Sequence, residues 1–237
     1  MFVLSTMKPT TVLSVMGMAA LAVSVQAASK EKIDLQIRER IVAFARMQQD
    51  PEKLVPPEIL RKAEGLVLLE RVKAGFIFAY EGGGGVAIVK DKKSGKWGPV
   101  AVLKAGDASL GFQAGGQKSF VVLVLMNATG TRLLIDSNMK IGVDARATAG
   151  PHSAGADANL STDETPVLVY SDVGGLFAGA SIQGGALVPD NKANETYYGQ
   201  PLITMKEILF DQKVKSTEAA QELARKIEEY SKPAKKK

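Results

Sequence analysis

Between Leu66 and Leu187 the chain is a succession of short runs of Val, Ile, Leu and Phe that alternate with small residues and are broken every few positions by glycine. Runs of about four to eight such residues between turn residues are the mark of strands, and connections this short join antiparallel neighbours. Strands are expected near 66–71, 74–80, 85–90, 97–103, 108–115, 119–126, 139–147, 165–170 and 176–187. Three stretches share a glycine-aromatic texture: Gly75-Phe76, Gly111-Phe112 and Gly174-Gly175-Leu176-Phe177. Glycine inside a strand marks tight curvature or close backbone approach, so a curved sheet or a partly closed barrel follows.

Helices flank this region. Ile33, Ile37, Ile41, Phe44 and Ala45 recur at helical spacing while Asp34, Arg38, Glu39, Arg40 and Arg46 take the other faces, which predicts an amphipathic helix ending before Asp50-Pro51. Pro56-Pro57 opens a short second helix through Lys62. Towards the end, Asp190 to Tyr198 with Gly199 behind it reads as a capped helix, and Thr204-Met205-Lys206-Glu207 is a capping-box pattern. A last helix starts at Ser216 and carries Ala220, Leu223, Ala224, Ile227 and Tyr230 along one stripe. The fold class is therefore α+β: a curved, largely antiparallel sheet or partly closed barrel flanked by N- and C-terminal helices. No linker-like stretch divides it, so residues 28–231 are expected to form one domain, with 232–237 as a basic, disordered tail.

Residues 1–27 read as a leader. Lys8 precedes the apolar run Val12 to Val23, and Val25-Gln26-Ala27 places small residues where a signal peptidase reads. The run of about 12 residues falls short of the roughly 20 that span a bilayer, so cleavage after Ala27 is favoured over an uncleaved anchor. Further along, the longest apolar run is Phe120 to Met126, a buried-strand length. An exported, periplasmic or envelope-associated location is the expectation.

Composition limits the chemistry. With no Cys and one His among 237 residues, disulfides, thiolate metal sites, a cysteine nucleophile and multi-imidazole metal sites cannot be built within the chain. His152 has no base-orienting carboxylate beside it in its loop, so no catalytic residue is assigned. Asp157, Asp163 and Glu164, and separately Asp190, Asn191, Asn194 and Glu195, offer oxygen ligands without EF-hand spacing, and no metal or cofactor is expected. Gly82 to Gly85 lacks the Lys-Ser/Thr of a phosphate loop and is read as a hairpin turn.

The remaining signal is charge. Thirty Lys and Arg against 25 Asp and Glu give a formal +5. Cations cluster locally at Arg61-Lys62, at Arg71 and Lys73, and at Lys90, Lys92, Lys93 and Lys96 beside Trp97. Such a surface attracts anionic head groups or nucleic acid by the same field, and export makes a membrane the expected partner rather than nucleic acid. Arg71, Lys73, Lys90, Lys92, Lys93, Lys96 and Trp97 are accordingly the candidate lipid-binding residues. An internal cavity holding acyl chains behind Phe76, Phe78 and Phe112 is a competing arrangement.

Several separated segments together resemble the SYLF domain family, found in bacterial exported proteins and in eukaryotic phosphoinositide-binding and actin-associated proteins. They include Pro57-Glu58-Ile59-Leu60, Val72-Lys73-Ala74-Gly75-Phe76, Ser94-Gly95-Lys96-Trp97-Gly98-Pro99, Gly111-Phe112-Gln113-Ala114-Gly115, Ala147-Thr148-Ala149-Gly150-Pro151, Gly175-Leu176-Phe177-Ala178-Gly179 and Tyr197-Tyr198-Gly199, spanning residues 57–210. The resemblance implies a non-catalytic module that binds acidic phospholipid through a basic surface and an N-terminal amphipathic helix. Where several members are richer in glycine, this chain reads Lys104-Ala105-Gly106-Asp107-Ala108-Ser109. The function expected is binding of anionic phospholipid or a membrane surface in the bacterial envelope; the alternative is a structural or interaction module whose partner is another envelope protein. A carboxylate-based hydrolase is the third and weakest reading.

Overall fold

The computed structural model describes residues 29–75, 80–107, 115–135, 139–141, 147–149, 166–172, 175–176 and 185–233. The first helix, α1 (Lys30–Met47), begins where the Ser29 hydroxyl accepts a hydrogen bond from Lys32 N at 3.3 Å. It buries Ile33, Ile37, Ile41, Phe44 and Met47, as the periodicity predicts. Arg40 departs from the prediction: read as part of a polar face, it is only 9% exposed. α2 (Pro57–Lys62) starts on Pro57, whose missing N–H costs nothing in a first turn.

Four long strands follow, β1 (Gly65–Gly75), β2 (Tyr80–Lys90), β3 (Trp97–Asp107) and β4 (Gly115–Leu125). Between and after them come α3 (Ala128–Arg132), β5 (Met139–Ile141), β6 (Ala147–Ala149), β7 (Val167–Ser171), β8 (Gly175–Leu176) and β9 (Gly185–Pro189). The sheet order is β5-β9-β3-β2-β1-β4-β7-β6, with β8 paired to β7. Among the described residues this path is open, with β5 and β6 at its ends, so the sheet does not close into a barrel. Every pairing is antiparallel except β6 with β7.

Two strand readings change. The expected strands 66–71 and 74–80 are not separate, because β1 runs unbroken to Gly75. Gly82 to Gly85, read as a hairpin turn, lies inside β2, paired with Val72 to Leu69 on one side and with Gly106 to Leu103 on the other. Glycine serves close approach there: a Cβ on Gly85 would stand 2.8 Å from Leu68 O, and one on Gly84 would stand 2.8 Å from Arg40 Nη2. Residues 76–79 and 108–114 lie outside the described residues.

Over 66–69, 86–89 and 121–125 the central strands are apolar on both faces because both are covered. Leu66, Leu68, Val86, Ile88, Val122 and Val124 pack towards α1, α2 and the later helices α4 (Asn191–Tyr198) and α6 (Glu218–Tyr230). Val67, Leu69, Val89, Leu123 and Leu125 form a second core with α5 (Met205–Leu209), Leu134 and Ile203. The expected caps are present. Gly199 ends α4 at φ +63°, and in α5 the Thr204 hydroxyl accepts from Glu207 N at 3.2 Å while Glu207 Oε2 accepts from Thr204 N at 3.0 Å. α6 carries Ala220, Leu223 and Ile227 into the first core.

Candidate functional site

The hairpin joining β2 to β3 is tied down by Asp91. Its Oδ1 accepts from Ser94 N at 2.7 Å, its carbonyl accepts from Gly95 N at 2.8 Å, and its own N–H donates to Lys96 O at 2.8 Å. These hydrogen bonds from Ser94 hold the Asp91 carboxyl below its usual range. Gly95 sits at φ +69°, a conformation that favours glycine. With the polar groups of the turn turned inward on Asp91, Lys92, Lys93 and Lys96 are left exposed.

Trp97 and Lys90 form the base of the turn. The Trp97 ring is partly buried against the first core, and Lys90 Nζ lies 4.8 Å from its centroid while donating to Arg61 O at 3.0 Å. Burial pushes the Lys90 ammonium below the ordinary lysine range, opposed by Glu64 and Glu228. Lys90 is thus a brace that joins the turn to the last turn of α2, where Arg61 and Lys62 are exposed. Five cations, Arg61, Lys62, Lys92, Lys93 and Lys96, therefore stand at one end of the sheet. None makes an ion pair among the described residues.

Arg71 and Lys73 do not join them. They lie on β1 cross-strand from Gly83 and Glu81, whereas the basic end is level with Gly65, cross-strand from Val89. Lys73 is eight residues further along the strand, about 26 Å away. The side chains of Arg71 and Lys73 lie outside the described set, as do His152, Asp157, Asp163, Glu164, Phe76, Phe78 and Phe112.

The second oxygen cluster is structural. Asp190 caps α4 by accepting from Ala193 N at 3.1 Å, Asn194 pairs with the Val102 backbone, and Glu195 Oε1 accepts from Leu202 N at 3.1 Å. No group of three His, Cys, Asp or Glu side chains that could hold a metal occurs among the described residues, and no helix among them is long and apolar enough to cross a membrane.

Two polar arrangements escaped sequence reading. Asp34 accepts from Tyr197 Oη and from Arg38 Nε, both at 2.8 Å, and Arg38 also pairs with Glu222, tying α1 to α4 and α6. Arg40, beneath α1, borders a cavity over Gly83, Gly84 and Gly85. The signal for it was present: Arg40 is seven residues from Ile33 and three from Ile37, in phase with the buried stripe.

Comparison with known proteins gives the family. The Ysc84 family model, described as "Las17-binding protein actin regulator", matches residues 106–230. The SH3 domain-containing YSC84-like protein 1 of Xenopus laevis is 30% identical over 171 residues, covering 71% of this chain and 51% of that protein. Protein YSC84 of Saccharomyces cerevisiae is 34% identical over 181 residues, covering 75% of this chain and 38% of its own length. LAS seventeen-binding protein 3 of the same yeast is 30% identical over 152 residues, 62% of this chain and 33% of that one. The chain thus spans about half the length, or less, of these curated relatives, which are eukaryotic. No solved structure gives a significant match. The family description speaks of binding and regulation, not of a reaction, and it covers the second half of the sheet together with α4, α5 and α6. On that match the chain belongs to the Ysc84 (SYLF) family of binding modules.

Proposed function

We propose that this chain is a non-catalytic module that adheres to anionic phospholipid at a membrane surface through the basic end of its sheet. The observation that carries the reading is the set of five exposed cations around the Asp91 turn and the end of α2, free of ion pairs among the described residues. Exposed cations not engaged in an ion pair keep most of their attraction for an external anion, although the Asp91 carboxylate beside Lys93 offsets part of it, and each contributes up to about 1 kcal/mol near an anionic membrane. The leader-like residues 1–27 add an exported, periplasmic or envelope-associated location to the reading, and mature protein beginning at Ala28 is its check.

Vesicle flotation tests the adhesion. Wild type is expected to float with anionic vesicles and not with zwitterionic ones. Replacing Lys92, Lys93 and Lys96 together by Gln should weaken binding by up to about 3 kcal/mol, roughly a hundredfold, with a smaller loss in high salt. Binding of the triple variant at wild-type strength in low salt sinks the proposal.

A second reading is favoured by one observation, the description of the family as Las17-binding. Here the same module presents its surface to a protein, and bare vesicles of any charge stay unbound.

A further inference from the structure

Arg40 is the most unusual residue of the helical face. Its guanidinium is buried between α1 and the sheet, donating from Nε to Gly84 O at 3.1 Å and from Nη1 to Gln36 O at 2.7 Å. Both acceptors are neutral carbonyls. The acidic groups that favour its charge are Glu70, cross-strand from Gly84, and Glu39 on α1, and burial acts against them. A buried charge is costly, and an apolar side chain of similar volume commonly serves stability as well or better. The guanidinium nonetheless lies directly on the backbone of Gly84, where a Cβ would stand 2.8 Å from Nη2 and the Arg40 side chain would have to shift.

Beside the guanidinium lies a cavity of about 410 Å³, bounded by α1, β2, β3 and the start of α4. Exposed Lys32 and Lys104 also line it, and neither makes an ion pair among the described residues. Asp190 is the carboxylate in its described lining, and Oδ1 of that group is occupied by Ala193 N. Ile37, Val102 and Ala193 supply apolar wall. We infer that this cavity binds a small anionic amphiphile, with one phosphate or carboxylate group set against Arg40, Lys32 and Lys104 and a short carbon chain against Ile37, Val102 and Ala193.

The chemistry follows from the parts. A guanidinium is a planar fork of donors matched to oxyanions, and fixing it on backbone carbonyls removes the entropy of ordering it when a ligand arrives. The volume falls in the range of about 300–1,000 Å³ typical of small-molecule sites. Gly84 is six residues along β2 from Lys90, about 20 Å, so this pocket is separate from the basic end and goes beyond surface adhesion.

Calorimetry on the full chain at pH 7 tests the inference, using octyl phosphate and octanoate below their micelle concentrations, with inorganic phosphate and 1-octanol as partial ligands. One-to-one binding of octyl phosphate or octanoate is expected, much tighter than either partial ligand. Lys32→Gln with Lys104→Gln, both exposed positions, should weaken it about tenfold or more. Arg40→Met, checked for folding by circular dichroism, should abolish it, and the Lys92, Lys93 and Lys96 to Gln variant should leave it unchanged. Comparing the two amphiphiles identifies which oxyanion the site takes. Absence of saturable binding of both to folded wild type overturns the inference. So does binding that survives the lysine pair and Arg40→Met, or inorganic phosphate binding as tightly as octyl phosphate.

Discussion

Asn194 offers the sharpest test of how the helices are fastened to the sheet. β3 and β9 stop pairing at Leu103 and Pro189, and the next residue of β3 is served by a side chain instead of a strand. Asn194 Oδ1 accepts from Val102 N at 2.8 Å and its Nδ2 donates to Val102 O at 3.0 Å, with the residue wholly buried. In Asn194→Ala the Val102 carbonyl keeps its bond from Asp190 N at 3.0 Å, but the Val102 N–H loses its partner. An orphaned buried donor costs about 1–3 kcal/mol and the second lost bond about 1 kcal/mol, so a loss of about 2–4 kcal/mol is expected. At a urea slope of about 2 kcal/mol/M the unfolding midpoint should fall by about 1–2 M. Asn194→Asp keeps an acceptor for Val102 N–H but sets a carboxylate against Val102 O. Its defect should therefore be large at neutral pH and shrink on acidification, as the carboxyl gains a proton to donate. A midpoint shift in Asn194→Ala below about 0.3 M, with an unchanged slope, would refute the claim that this side chain completes the edge of β3.

Gly130 in α3 has no room for a side chain: a Cβ would stand 2.2 Å from Pro166 O, which also accepts from Met126 N at 3.0 Å. Gly130→Ala should cost about 1–3 kcal/mol through forced backbone displacement, and a melting temperature within about 1 °C of wild type would contradict this. Glu207 is held at about 2, against an ordinary 4.5, by the Lys213 ammonium and by hydrogen bonds from Thr204. Its folded pKa lies below its unfolded one, so its contribution to stability is complete above about 4.5 and is lost as pH falls from there through about 2. The stability gap between wild type and Glu207→Gln should accordingly be open at pH 7 and shrink as pH falls from about 4.5 through about 2, and a gap of constant size across that window would rule the linkage out.

Features that depend on a few neighbouring residues are legible in the sequence alone. The stripe Ile33, Ile37, Ile41 and Phe44 marked α1, Thr204 and Glu207 marked a capping box, Gly199 marked the end of α4, and Lys92-Lys93-Ser94-Gly95 marked a turn. α3 was not legible, being five residues long and lacking a helical repeat. Exposure of Lys92, Lys93 and Lys96 followed from the turn alone, but the support of Lys90 by Trp97 and Arg61 O did not, because Arg61 is 29 positions away.

The amino-acid sequence by itself determined the α+β class, the helix stripes and caps, the glycine turn and the local density of charge, because propensity, side-chain period and capping act within one or two turns of chain. Tertiary structure alone decided what those elements meet. Strand register puts Lys73 far from Lys92, so the two do not share one basic surface. Pairing with β1 on one side and β3 on the other made four consecutive glycines, expected as a turn, mid-strand residues, with Arg40 seated directly over Gly84. Cover on both faces made one half of the central strands, 66–69, 86–89 and 121–125, apolar on both sides. Register and face coverage are set by contacts between residues tens of positions apart, and no local pattern encodes the identity of the neighbour across the sheet.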